Sequence, residues 1–169
     1  MRETSQKRGD KMEIRLAFPN EVDAIMQVIE DAKKCLAEAG STQWQNDYPN
    51  ADTIIEDIIS GQAYVALDEG ELLAYAAVTK SPEKAYEAIY DGSWEGREPE
   101  YLVFHRIAVS RDVFLEGLIE GFDYLDFRSD THAQNKAMQH IFEKLGFKQV
   151  GKVPVDGERL AYQKLKSNA

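Results

Sequence analysis

An α+β fold is what this sequence predicts: a mixed, mostly antiparallel central sheet flanked by helices, in the order βααβββαβαββ. Three observations carry the expectation. Short runs alternate apolar and polar residues with the period of a strand, longer runs repeat their apolar residues at helical spacing, and Gly, Pro, Asn and Asp punctuate the boundaries. The 169 residues are 43% apolar and 30% charged, which suits one soluble domain with a hydrophobic core. That domain is read over 12–166, and the polar stretch before it, 1–11, as a flexible extension or an expression remnant.

The first strand is read over Ile14 to Phe18, ended by Pro19-Asn20. Val22, Ile25, Met26, Ile29 and Leu36 then mark the inner face of a helix closed by Gly40. The loop STQWQNDYPN brings two large aromatics, Trp44 and Tyr48, before Ile54, Ile55, Ile58 and Ile59 trace a second helix ending at Gly61. Ala63 to Leu67 and Leu72 to Thr79 read as antiparallel strands about Asp68-Glu69-Gly70-Glu71, a segment with hairpin-turn chemistry. After Ser81-Pro82 an irregular insertion holds Trp94 and a helical turn at Lys84 to Tyr90, and it leads into the strand Tyr101 to Val109. Phe114, Leu115, Leu118, Ile119 and Phe122 set the face of a helix over Val113 to Phe122, so that strand, helix and strand form a crossover. Lys148 to Val153 and Leu160 to Leu165 close the sheet about Asp156-Gly157, and the strand near Leu160 reads as an exposed edge, a seam for a homodimer.

Leu125 to Phe147, LDFRSDTHAQNKAMQHIFEKLGF, joins a strand to a helix through a polar hinge. Leu125 and Phe127 alternate with Asp126 and Arg128 as in a half-buried strand, and Ser129 to Gln134 break the pattern. Asn135 is a favoured N-cap, Ala137, Met138, Ile141, Phe142 and Leu145 share a helical face, and Gly146 sits where a left-handed C-cap belongs. Asn135, Met138, Phe142 and Gly146-Phe147 resemble the second half of a GNAT-type N-acyltransferase, and the element order matches that arrangement over essentially Met12 to Lys166.

The resemblance implies acyl transfer from acetyl-CoA to an amine, with a small-molecule or peptide acceptor; the spacing of the histidines predicts no metal. It implies that Asn135 touches the pantetheine arm. YLVFHRIAV resembles the family's central fourth strand, which would make Ile107, Ala108 and Val109 line the cofactor. It also sets Phe142 where many members carry a tyrosine that protonates the departing thiolate; the helical periodicity instead predicts a packing role for it. The loop QWQNDYP resembles one near the acceptor in small GNAT enzymes, so Trp44, Tyr48 and Trp94 are read as a pocket wall. His105 is the candidate base because histidine titrates near neutrality, with a structural, hydrogen-bonded histidine as the alternative; Glu98 and Glu100 are further candidates. His132 and His140 lack a third ligand at metal spacing.

One expected part is missing. The family follows its fourth strand with Arg or Gln and then x-x-G-x-G or x-x-G-x-A, a loop that grips pyrophosphate. Here Ser110-Arg111-Asp112 runs directly into Val113-Phe114-Leu115, with no glycine before Gly117. Either the protein lacks the loop or the sequence is closed up across it. A protein without the loop would suit a second function class, a catalytically inactive binding or interaction module.

Composition narrows the rest. A net charge of −10 and a pI near 4.8 argue against a nucleic-acid partner held by phosphate neutralisation. No apolar run approaches membrane-spanning length. A single cysteine, Cys35, leaves no intrachain disulfide and points to a reducing, cytoplasmic setting.

Overall fold

The computed structural model describes residues 12–96, 99–109 and 113–167. Among them are seven strands and four α-helices: β1 Met12–Leu16, α1 Val22–Glu38, α2 Ala51–Ile59, β2 Ala63–Asp68, β3 Glu71–Lys80, β4 Leu102–Ala108, α3 Val113–Gly121, β5 Asp126–Thr131, α4 Lys136–Lys144, β6 Lys148–Pro154 and β7 Glu158–Leu165, with short 3-10 turns at Pro19–Glu21 and Lys84–Ala88. The order is βααβββαβαββ, as the sequence predicts. Hydrogen bonds order the strands β1-β2-β3-β4-β5-β7-β6; β1–β2, β2–β3, β5–β7 and β6–β7 pair antiparallel, and β4–β5 pair parallel. No helix among the described residues is long and apolar enough to cross a membrane. The extension at 1–11 lies outside the described residues.

The chain divides into two compact units, residues 1–78 with 106–122 and residues 79–105 with 123–169. In the first unit α1 buries Ile25 and Ile29, and α2 buries Ile54, against Val65, Tyr75 and Ala108. The β2–β3 hairpin turns on Glu69 and Gly70, both with positive φ, the conformation that suits the right-handed twist of its strands. Gly117 packs closely on β1: a Cβ there would lie 2.4 Å from Ile14 Cδ1, the far end of a side chain that would have to shift.

Two expectations shift in this unit. The first strand starts and ends two residues earlier than Ile14 to Phe18, because Leu16 makes the last pair with Tyr64 and the Phe18 N–H turns to donate to the Glu21 carboxylate at 2.7 Å. On α2, Ile55 and Ile59 face outward, at 40% and 80% exposure, and Asp57 takes the inward position one turn after Ile54.

In the second unit Tyr86, Tyr101, Val103, Val153 and Ala161 form the core, and Phe104 stacks on Phe127 with centroids 5.7 Å apart. The insertion after Ser81-Pro82 is pinned rather than loose: Tyr90 exchanges both backbone hydrogen bonds with Lys152, at 2.9 Å each, and the Ser93 N–H donates to Val150 O. Helix α4 ends as expected. Gly146 has φ +89°, its N–H donates to Glu143 O, the Phe147 N–H reaches back to Phe142 O, and the two rings meet at 5.1 Å.

Three further expectations are corrected here. β5 runs on through Ser129 to Thr131, and it is buried on both faces rather than one. Ala137 is exposed, so the inner face of α4 is narrower than the sequence suggests. β7, which contains Leu160, is not an edge: it pairs with β5 on one side and β6 on the other.

Candidate functional site

Residues 102–105 of β4 belong to the second unit and 106–108 to the first, and each unit holds its own group of polar side chains. In the second unit His105 Nε2 lies 3.3 Å from Glu83 Oε2, and its ring sits 6.4 Å from that of Tyr86. The Glu83 N–H donates to the Tyr101 hydroxyl at 2.9 Å. The Tyr86 hydroxyl donates to Asp130 at 2.6 Å; burial, reinforced by that carboxylate, pushes its pKa far above the ordinary phenol.

Tyr86 and Tyr101 also line an open groove of about 420 Å³ whose other walls include Trp94, Glu87, Glu100 and Arg128. The Arg128 guanidinium is held between two rings, 4.6 Å from the Trp94 centroid and 3.8 Å from that of Tyr101. It donates to Asp126 at 2.8 Å, and Gln163 donates to the same carboxylate at 3.0 Å while exchanging bonds with the backbone of Glu95. Buried charge on β5 therefore fixes the insertion that carries Trp94. The signal for it was an acid and an arginine two residues apart, which a strand puts on one face. Trp94 further donates from Nε1 to Tyr86 O at 2.8 Å.

In the first unit Arg106 donates from Nε to Asp57 Oδ2 at 2.8 Å and from Nη2 to Asp57 Oδ1 at 2.5 Å, and Nη1 reaches the Tyr48 hydroxyl at 3.1 Å. The Tyr75 hydroxyl donates to the same carboxylate. Burial works against the Arg106 charge, but the bonds to Asp57 outweigh it and the pKa ends above the usual value. Tyr75 is raised by burial first and by Asp57 second. Asp57, 4% exposed, was not picked out in the sequence; its place on the Ile54 face of the helix was the available sign.

Of the residues singled out in the sequence, Tyr48 joins this cluster, while Trp44 packs beside the first unit's core. The loop holding both is tied to α1: Lys33 Nζ donates to Pro49 O at 2.7 Å and Gln45 to Lys33 O at 3.1 Å. Ile107, Ala108 and Val109 follow Arg106, which takes φ +49° within β4, and the Ala108 side chain is buried in the first unit's core. In the second unit, Asn135 caps α4 by accepting from the Met138 N–H at 3.1 Å. Phe142 is completely buried, between the rings of Phe147 and Tyr162, the geometry of a packing residue. Glu98 and the segment 110–112, where the pyrophosphate loop was sought, lie outside the described residues. Among the described residues no group of three or more His, Cys, Asp or Glu is arranged to hold a metal.

A mixed sheet with a parallel β4–β5 crossover, a positive-φ residue within β4 and an Asn-capped helix after β5 is the architecture of an N-acyltransferase fold. Comparison with solved structures gives the family. The chain is similar to a GNAT-family acetyltransferase from Streptococcus agalactiae 2603 at 50% identity, over 95% of this chain and 99% of that one, with a TM-score of 0.90. The protein belongs to the GNAT acetyltransferase family. A GNAT-family acetyltransferase from Listeria monocytogenes 4b F2365 matches at 22% identity over 95% and 100% of the two chains, with a TM-score of 0.64. The aminoglycoside acetyltransferase AAC(6')-Ib, solved with coenzyme A and kanamycin, matches at 17% over 92% and 95%, with a TM-score of 0.63. The last two likenesses are of fold. No family model and no curated protein matches the chain.

Proposed function

We propose that this protein transfers an acetyl group from acetyl-CoA to an amine by direct attack, and that it does so in the cytoplasm. The observation that carries the reading is the 50% identity, over nearly both full lengths, to a GNAT-family acetyltransferase. Solved relatives by fold that hold coenzyme A support the choice of donor. A lone, exposed, free Cys35 supports the compartment.

The residues present suit the donor. Arg106 has a positive φ within β4, just before Ile107, Ala108 and Val109, the backbone assigned to pantetheine. Helix α3 is described from Val113, soon after them, and a helix start is a favourable place for a pyrophosphate. Asn135, which the resemblance sets against the pantetheine arm, is held at the start of α4.

The donor supplies an acyl carbon activated as a thioester. The neutral amine forms the new C–N bond, the C–S bond breaks, and the thiolate leaves with the electron pair. His105, oriented by Glu83, takes the proton from the amine; a backbone amide of the 107–109 segment polarises the carbonyl oxygen. With Phe142 where a tyrosine would donate, water protonates the thiolate. The acceptor enters the second unit's groove, where aromatic Trp94 and the carboxylates Glu87 and Glu100 suit a cationic amine, small or peptidic.

The rival reading, a binding module without chemistry, draws on the burial of Phe142 and the short segment at 110–112. Released thiol, measured over a panel of amines, separates the two. The expected result is turnover with at least one amine, and a His105→Gln variant that folds but loses roughly 100-fold in kcat. Wild-type turnover with an unaffected variant would remove His105 from the reaction, and no turnover with any amine would favour the module.

A further inference from the structure

Among the described residues, Arg106 alone combines a positive φ with a place inside a strand. Left-handed backbone at a residue with a long side chain is sterically disfavoured, so something must hold it there. The side chain shows what. Three of its nitrogens are engaged: Nε and Nη2 grip both oxygens of Asp57 at 2.8 and 2.5 Å, and Nη1 meets the Tyr48 hydroxyl at 3.1 Å. Asp57 is itself fixed, buried on α2 with the Tyr75 hydroxyl donating to it. A forked, two-point grip fixes both the position and the orientation of a guanidinium.

The residues whose direction this sets are Ile107, Ala108 and Val109. We propose that Asp57 and Tyr75 are positioning residues for the acyl donor: through the Arg106 side chain they lock the left-handed turn in β4, and the turn aims the backbone groups that follow it at the pantetheine arm. The inference rests on the acetyl-CoA reading above. It assigns a binding role to a buried carboxylate on a helix that carries no residue of the site itself.

Calorimetric titration with coenzyme A tests it, using four proteins whose folding is checked by near-UV circular dichroism. Asp57→Asn frees the Arg106 fork, and the expected loss in affinity is about tenfold or more. Two double variants, Asp57→Asn with Arg106→Gly and Asp57→Asn with Arg106→Val, remove both charges, so neither leaves a buried ion unpaired. Glycine adopts positive φ freely and a β-branched residue does not. The glycine double variant is therefore expected to bind within about threefold of wild type, and the valine double variant about tenfold more weakly than the glycine one. Should Asp57→Asn fail to fold, the glycine and valine pair decides alone. Equal affinity of that pair, or wild-type affinity in a folded Asp57→Asn protein, overturns the inference while leaving the proposed donor intact. A wild-type protein that does not bind coenzyme A overturns both.

Discussion

His132 stands partly buried in the hinge after β5, where loss of water, helped by Arg159, holds its imidazole below the usual 6.5 against the pull of Asp130 and Asp156. The sign of its effect on stability follows directly. As pH falls from about 7, the unfolded chain takes up this proton first, so the native state loses ground until its own lower pKa is reached. A His132→Gln variant is expected to flatten the decline of unfolding free energy on the acid side of neutrality, measured by urea titration across that range. Identical slopes in the two proteins would mean that His132 does not carry the decline; Glu21, whose carboxyl is held below the usual value chiefly by its hydrogen bonds from Arg15, acts only at more acid pH, below about 5. The same scale explains which site residues escaped the sequence. Asp57 finds Arg106 49 residues along the chain, and Arg128 lies between the rings of Trp94 and Tyr101; a local pattern shows the charge but not the partner that buries it.

Elements built from local signals were legible. Asn135 and Gly146 announce the ends of α4 because capping is completed within a few residues, and the Glu69-Gly70 turn announces the hairpin for the same reason. Elements defined by distant pairing were not: β5 looked half-buried because Asp126 and Arg128 are polar, and β7 looked like an edge because its second neighbour, β5, is separated from it in the chain by α4 and β6. The insertion is the clearest case of structure without a periodic signal. Its backbone lies so close to β6 that a Cβ at Gly92 would fall 1.9 Å from Val150 O, with φ at +153°. Gly92→Ala is expected to cost about 2 kcal/mol or more in chemical denaturation. Gly157→Ala, also at positive φ but with open space around its Cβ, is expected to cost about 1 kcal/mol. Equal losses would mean that the approach to β6 relaxes without cost.

At the scale of the molecule, the order of elements and the resemblance together anticipated the GNAT fold, and the 50% identity to the streptococcal acetyltransferase makes the family plain. What the whole sequence leaves open is the link between β4 and α3. The claim on which everything else depends is that the protein binds coenzyme A. Thermal unfolding with and without the ligand tests it most directly: at about a hundredfold excess over the dissociation constant, a rise of about 5 °C or more is expected. A melting temperature that stays the same up to millimolar coenzyme A would contradict the account.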